Sequence, residues 1–174
     1  AGGIGLNIIQ AANLVSAYPI IAVDLYSDRL ELAKKVGATH LINTMETDFS
    51  DKILSIVGND LDVFVDNTGL PEMIEKGYKL INDLGRLILV GVPRKGQNIN
   101  IFSLPLHFGK KIIGSFGGEC KPEIDIPRYL KLYQRDKLSL NQIITERYKL
   151  KDINLAISRI REGKAIGRVM IDFK

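Results

Sequence analysis

Ala1-Gly2-Gly3-Ile4-Gly5-Leu6, followed by the apolar run Ile20-Ile21-Ala22-Val23 that closes on Asp24, sets the reading of the whole chain. Glycines at this spacing suit a strand-to-helix turn of the G-x-G-x-x-G kind. The bend there is tight, the backbone must approach a pyrophosphate, and the helix N-terminal N–H groups meet its charge. Gly2 and Gly5 would be the second and third glycines of that pattern, with the first falling just before Ala1. Turns collect glycine for steric reasons alone, so the cluster by itself says little. Asp24 adds the second half of the signal. It stands nineteen residues after Gly5 at the end of a short apolar run, where a carboxylate accepts both hydroxyls of an adenosine ribose. The plainer alternative is an acid that caps a loop. A carboxylate at that place also repels a 2′-phosphate, which favours NAD(H) over NADP(H); Arg29, able to pair with such a phosphate, works against the preference.

Working outward, strand-like runs alternate with amphipathic stretches. Gly3–Ala17 reads as a helix, Ile20–Asp24 as a strand, and Asp28–Val36 as a helix with Ser27 as N-cap, Lys34 and Lys35 in its last turn and Gly37 beyond it. Then follow a strand Thr39–Asn43, a helix Ser50–Val57, a strand Asp62–Asp66, a helix Pro71–Ile81 and a nearly continuous apolar strand Gly85–Val92. An outlying strand at Lys110–Phe116, a helix around Ile126–Gln134, a segment Gln142–Tyr148, a helix Asp152–Arg161 and a last strand Gly167–Asp172 complete the series. The alternation predicts an α/β fold, a doubly wound parallel-sheet Rossmann dinucleotide-binding domain over residues 1–174, with no internal repeat or linker. Such a sheet needs a central strand before Ala1, so the chain is expected to be a fragment of a longer polypeptide.

Composition removes other classes. At 174 residues, 45% hydrophobic and 25% charged, the chain has the profile of a globular domain. No apolar run reaches the roughly 18 residues of a membrane span, and no basic n-region followed by an apolar h-region is found at its first residues, so membrane and secretory classes are not expected. The single cysteine, Cys120, makes no internal disulfide, which points to a reducing, cytoplasmic setting. The net charge of +4 is uneven, with the excess of basic residues after residue 109. Acids interleave with them, so a solvated basic face is expected rather than a nucleic-acid surface. With His40 and His107 the only histidines, the chain lacks the donors for a closed zinc site, and no metal ligand and no catalytic residue is expected within it.

Ala1–Leu6 (AGGIGL), Asp24 with Arg29, Val36–Asn43 (VGATHLIN), Gly85–Pro93 (GRLILVGVP), Ile113–Gly118 (IGSFGG) and Gly163–Val169 (GKAIGRV) stand in one order over nearly the whole chain. In these stretches the sequence resembles the coenzyme-binding domain of the zinc-containing, medium-chain alcohol and polyol dehydrogenases. The resemblance implies a cofactor-binding set of Gly2, Gly3, Ile4, Gly5, Asp24, Arg29, Thr68, Gly69, Val90, Gly114, Phe116 and Arg168. In it the Gly3 and Ile4 amides and Arg168 serve the pyrophosphate, while Asp24 and Arg29 stand at the ribose. Thr68 and Gly69 edge the cleft, the Val90 and Gly114 carbonyls and the Phe116 N–H hold the nicotinamide carboxamide and so choose the ring face that receives hydride. It further implies NAD as cofactor, with NADP less favoured, and a small alcohol, polyol or aldehyde as substrate. Zinc would be supplied by a catalytic domain that this chain does not contain, so the chain alone is expected to be inactive. A homodimer or higher homo-oligomer is implied as well, joined near Asn98–Phe102 and Lys110–Ser115. Two other readings share the glycine turn and the acid. A non-catalytic nucleotide-sensing module has no need of the GVP and SFGG stretches, and a methyltransferase using S-adenosylmethionine usually ends in a reversed hairpin that this sequence does not show.

Overall fold

Helix α1 (Gly3–Leu14) starts directly on the glycine cluster and buries Leu6 and Ile9 on one stripe. It stops three residues short of the expected end. The residue before a proline is pushed out of helical geometry, so the chain must leave the helix upstream of Pro19. It does so through Ser16 at φ +58°, with the Ala17 N–H donated to the Ala12 carbonyl. The computed structural model describes residues 1–173. Within them the chain forms two compact units, Ala1–Thr47 with the chain from Glu123 onward, and Asp48–Pro122.

In the first unit β1 (Ile21–Asp24) pairs in parallel with β2 (His40–Asn43), in the register Asp24 to Asn43. Between them runs α2 (Ser27–Lys35), with Asp28 in its first turn, Lys34 and Lys35 in its last, and Gly37 beyond it at φ +123°. The expected N-cap, Ser27, is not one. Tyr26 holds that position, and the Ser27 hydroxyl instead accepts from the Asn43 side chain at 2.9 Å. Helix α5 (Pro122–Gln134) begins earlier than expected, with Pro122 as its first residue, where the missing N–H costs nothing. The segment from Gln142, left without a type by the sequence, starts inside a short helix, α6 (Leu140–Ile143), and continues as β6 (Ile144–Lys149). β6 pairs in parallel with β7 (Arg168–Asp172), with α7 (Ile153–Arg161) between them. Leu6, Ile20, Ala22, Leu30, Ala33 and Val36 make one core with Ile143.

In the second unit β3 (Leu61–Asp66), β4 (Ile81–Leu89) and β5 (Lys111–Gly114) form a parallel sheet in that order. Helix α3 (Phe49–Val57) is capped by the Asp48 carboxylate, which accepts from the Ser50 N–H at 2.7 Å, and it ends on Gly58 at φ +59°. Helix α4 (Pro71–Leu80) runs straight into β4, which therefore begins four residues before Gly85. Gly77 lets α4 press onto β3, since a Cβ there would stand 2.5 Å from the Phe64 ring. Ile74, Tyr78, Ile81 and Leu87 are the buried centre of this unit.

Every strand pair is parallel, as the alternation of strands and helices predicts. The pairs belong to three sheets, in which β1 and β3 each border a single strand. No helix among the described residues is long and apolar enough to cross a membrane.

Candidate functional site

The start of α1 carries a bare set of backbone donors. Its N-cap, Gly2, offers no side chain to the first-turn N–H groups, and no acidic residue stands in that turn. The Arg168 side chain, from the first residue of β7, lies flush against this turn. A Cβ at Gly3 would fall 2.6 Å from its Nε. Glycine at position 3 is thus what admits a guanidinium beside a helix N-terminus, and both favour an anion there. Gly5 is buried on the same helix and Ile4 is half exposed.

At the end of β1 the Asp24 side chain is 9% exposed. Its Oδ1 accepts from the Tyr26 N–H at 3.0 Å, and its Oδ2 takes the main-chain nitrogen of Ala1 at 2.7 Å, with Arg29 Nη1 at 3.9 Å. Arg29 is held elsewhere. Its Nη2 donates to the carbonyls of Gly163 and Ala165 at 2.9 and 3.0 Å, and its guanidinium lies 4.8 Å above the Tyr26 ring. The structure therefore brings Gly2, Gly3, Asp24, Arg29 and Arg168 into one unit, with Arg29 fixed as a strut between α2 and the 163–165 loop.

In the second unit Thr68, Gly69, Val90, Gly114 and Phe116 gather at or just beyond the carboxyl ends of β3, β4 and β5, where open parallel sheets bind ligands. The residue that holds this edge together is one the sequence reading did not single out. Asp66, 2% exposed, accepts from the Thr68 N–H, the Thr68 hydroxyl at 2.6 Å and the Gly69 N–H at 2.9 Å. Its main-chain carbonyl accepts from the Val90 and Gly91 N–H groups at 2.8 and 3.0 Å. The two loops touch closely enough that a Cβ at Gly69 would lie 2.6 Å from the Val92 carbonyl, with Gly69 at φ +71°. An acid ending an apolar strand directly before Asn-Thr-Gly was the signal available, the same one that marked Asp24. Gly114 faces Leu89 across the ladder, the Ser115 N–H donates to the Leu89 carbonyl at 2.8 Å, and Phe116 is 90% exposed.

His40 bonds the Thr39 hydroxyl through Nδ1 and meets the Tyr18 ring edge-on, His107 sits in a single turn of 3-10 helix (Leu104–Phe108), and Cys120 is exposed. Among the described residues no three His, Cys, Asp or Glu side chains come together to hold a metal ion, so these residues do not fit zinc.

The family model described as zinc-binding dehydrogenase matches residues 3–135. The Arabidopsis thaliana protein alcohol dehydrogenase-like 5 is 30% identical over 95% of this chain and 43% of its own length. The crystal structure of benzyl alcohol dehydrogenase from Acinetobacter calcoaceticus is 33% identical, with a TM-score of 0.89 over 98% of this chain and 48% of that one. A zinc-binding dehydrogenase structure from Sinorhizobium meliloti 1021, bound to NADP, is 26% identical, with a TM-score of 0.79 over 90% of this chain and 46% of that one. The chain spans about half the length of the curated relatives it matches.

Proposed function

Because the chain belongs to the zinc-binding dehydrogenase family, we propose that it is the coenzyme-binding part of an NAD-dependent dehydrogenase that interconverts a small alcohol or polyol and its carbonyl product. The observation that carries this is the start of α1, where an uncapped, acid-free helix N-terminus lies against Arg168 only because position 3 has no Cβ. A pyrophosphate finds there the N–H groups and the guanidinium it requires. The nicotinamide, when bound, supplies the two-electron chemistry. This chain's own residues bind and orient. The Gly3 and Ile4 amides and Arg168 take the pyrophosphate, and Asp24 accepts from the ribose hydroxyls. Thr68, Gly69, Val90, Gly114 and Phe116 present the strand-end edge of the second unit to the carboxamide.

Asp24 supports NAD over NADP, because its carboxylate repels a 2′-phosphate. Arg29, spent on the Gly163 and Ala165 carbonyls, has less to offer such a phosphate than its position in the sequence suggests. A single cysteine, which makes no internal disulfide, supports a reducing, cytoplasmic setting. A homodimer is part of the same reading. β5 is the outer strand of its sheet and Ile113 on it is 41% exposed, so a symmetric contact would cover an edge otherwise open to pairing.

Calorimetric titration with NADH and NADPH tests the cofactor assignment. The unmutated protein should bind NADH more tightly, and Asp24→Ser should lose about ten-fold of that preference. Equal affinity for the two cofactors before mutation would refute it.

A further inference from the structure

Residues 164–166 of the first unit have no regular secondary structure and lead directly to Arg168, the first residue of β7. Helix α7 holds this loop at its start, where the Lys164 N–H donates to the Arg159 carbonyl, and the Gly167 N–H reaches the Thr145 hydroxyl at 3.2 Å. Between these points the Arg29 Nη2, donating to the Gly163 and Ala165 carbonyls, is the directional hold. Ala165 is buried and Ile166 packs against the core, but apolar contact has no direction and sets the depth of the loop rather than its path. The Lys164–Glu162 pair is exposed and adds little. Tyr26 backs both partners. The Arg29 guanidinium lies on its ring, and a Cβ at Gly163 would fall 3.0 Å from its hydroxyl oxygen.

Arg168 depends on that loop. It is exposed, and among the described residues its guanidinium makes no hydrogen bond or ion pair, so it lies against Gly3 because its backbone is delivered there. The β6–β7 ladder shifts register just past its first pair, Ile144 to Arg168, which leaves the entry of the strand to the loop. We infer that Arg29 serves the pyrophosphate through Arg168 rather than the ribose directly: it is a positioning residue, whose hold on the 163 and 165 carbonyls sets the approach of Arg168 to the start of α1. The inference rests on the dinucleotide reading of that helix start. A charge-only role is the competing account, since Arg29 Nη1 stands 3.9 Å from Asp24.

Inorganic pyrophosphate, which has no ribose, and ADP-ribose are the probes, titrated into the whole chain and followed by the Gly3–Leu6 amide signals. The Arg168 Nε–H signal is read without ligand. Arg29→Met should weaken both probes by about five-fold and move the Arg168 signal. The Arg159 Nε–H, held by Glu146 in the same unit, should stay in place as the check on folding. Arg29→Lys keeps the charge near Asp24 but ends about one bond short of the two carbonyls, so it should weaken both probes too. It carries the comparison should Arg29→Met fail to fold. In an Arg168→Met background neither Arg29 variant should cost further ADP-ribose affinity, because the residue it positions is gone. Unchanged pyrophosphate binding in both Arg29 variants, a loss confined to ADP-ribose, full restoration by Arg29→Lys, or an equal cost with and without Arg168 would overturn the inference while leaving the dinucleotide reading in place. A parent that binds neither probe at Gly3–Leu6 would refute that reading, and the inference with it.

Discussion

Asp66 spends its carboxylate on three donors of the Thr68–Gly69 turn while its carbonyl holds Val90 and Gly91. Removing the side chain leaves two buried or half-buried N–H groups without an acceptor, and hydrogen bonds to a charged partner are among the costlier ones to lose. Asp66→Ala is expected to lower the free energy of unfolding by about 2–4 kcal/mol, read from the urea midpoint. An unchanged midpoint would mean the turn holds without it. At Gly69 the demand is steric. A φ of +71° and a Cβ against Val92 both resist substitution, and Gly69→Ala should cost about 1–3 kcal/mol by the same measurement. Asp24 was legible in the sequence because a lone acid closes an apolar run. Asp66 carried the same mark, but its task is to tie two loops that are distant in sequence. The commitment of Arg29 to the 163–165 carbonyls could not be read from spacing, since those atoms lie more than a hundred residues away.

Among elements, the β6–α7 pair of the first unit is clamped by charge. Glu146 on β6 takes Arg159 of α7 through two contacts, at 2.8 and 3.2 Å, and also accepts from the Tyr148 hydroxyl. The Arg159 bonds first, and the Tyr148 bond second, hold the Glu146 carboxyl below its ordinary pKa of 4.5. A carboxyl depressed in the folded state contributes stability that is complete above its unfolded pKa and is lost as pH falls through the lower folded value. Arg159→Met should therefore be less stable at pH 7 and should lose stability less steeply than the parent below about pH 4.5. Parallel pH profiles for the two proteins would contradict the clamp. Element types were legible because periodicity and glycine or proline punctuation agree over most of the chain. The ends moved where a competing demand intervened: Pro19 shortened α1, Asn43 drew Ser27 away from capping α2, and α4 continued into β4 without a loop.

For the whole molecule, association and cofactor binding are separable. Ile113→Glu would set like charges face to face across a two-fold contact at β5, so sedimentation should find dimers of the parent and monomers of the variant. A monomeric parent would remove the dimer and leave the dinucleotide reading intact. The central claim is that this chain binds a dinucleotide through the start of α1 and the end of β1. An NMR titration with ADP-ribose and then NADH addresses both sets of residues at once. ADP-ribose should shift the amides of Gly3–Leu6 and Asp24–Arg29 saturably, and NADH should shift these together with Val90, Gly114 and Phe116. If neither ligand moves the Gly3–Leu6 amides, the account is wrong.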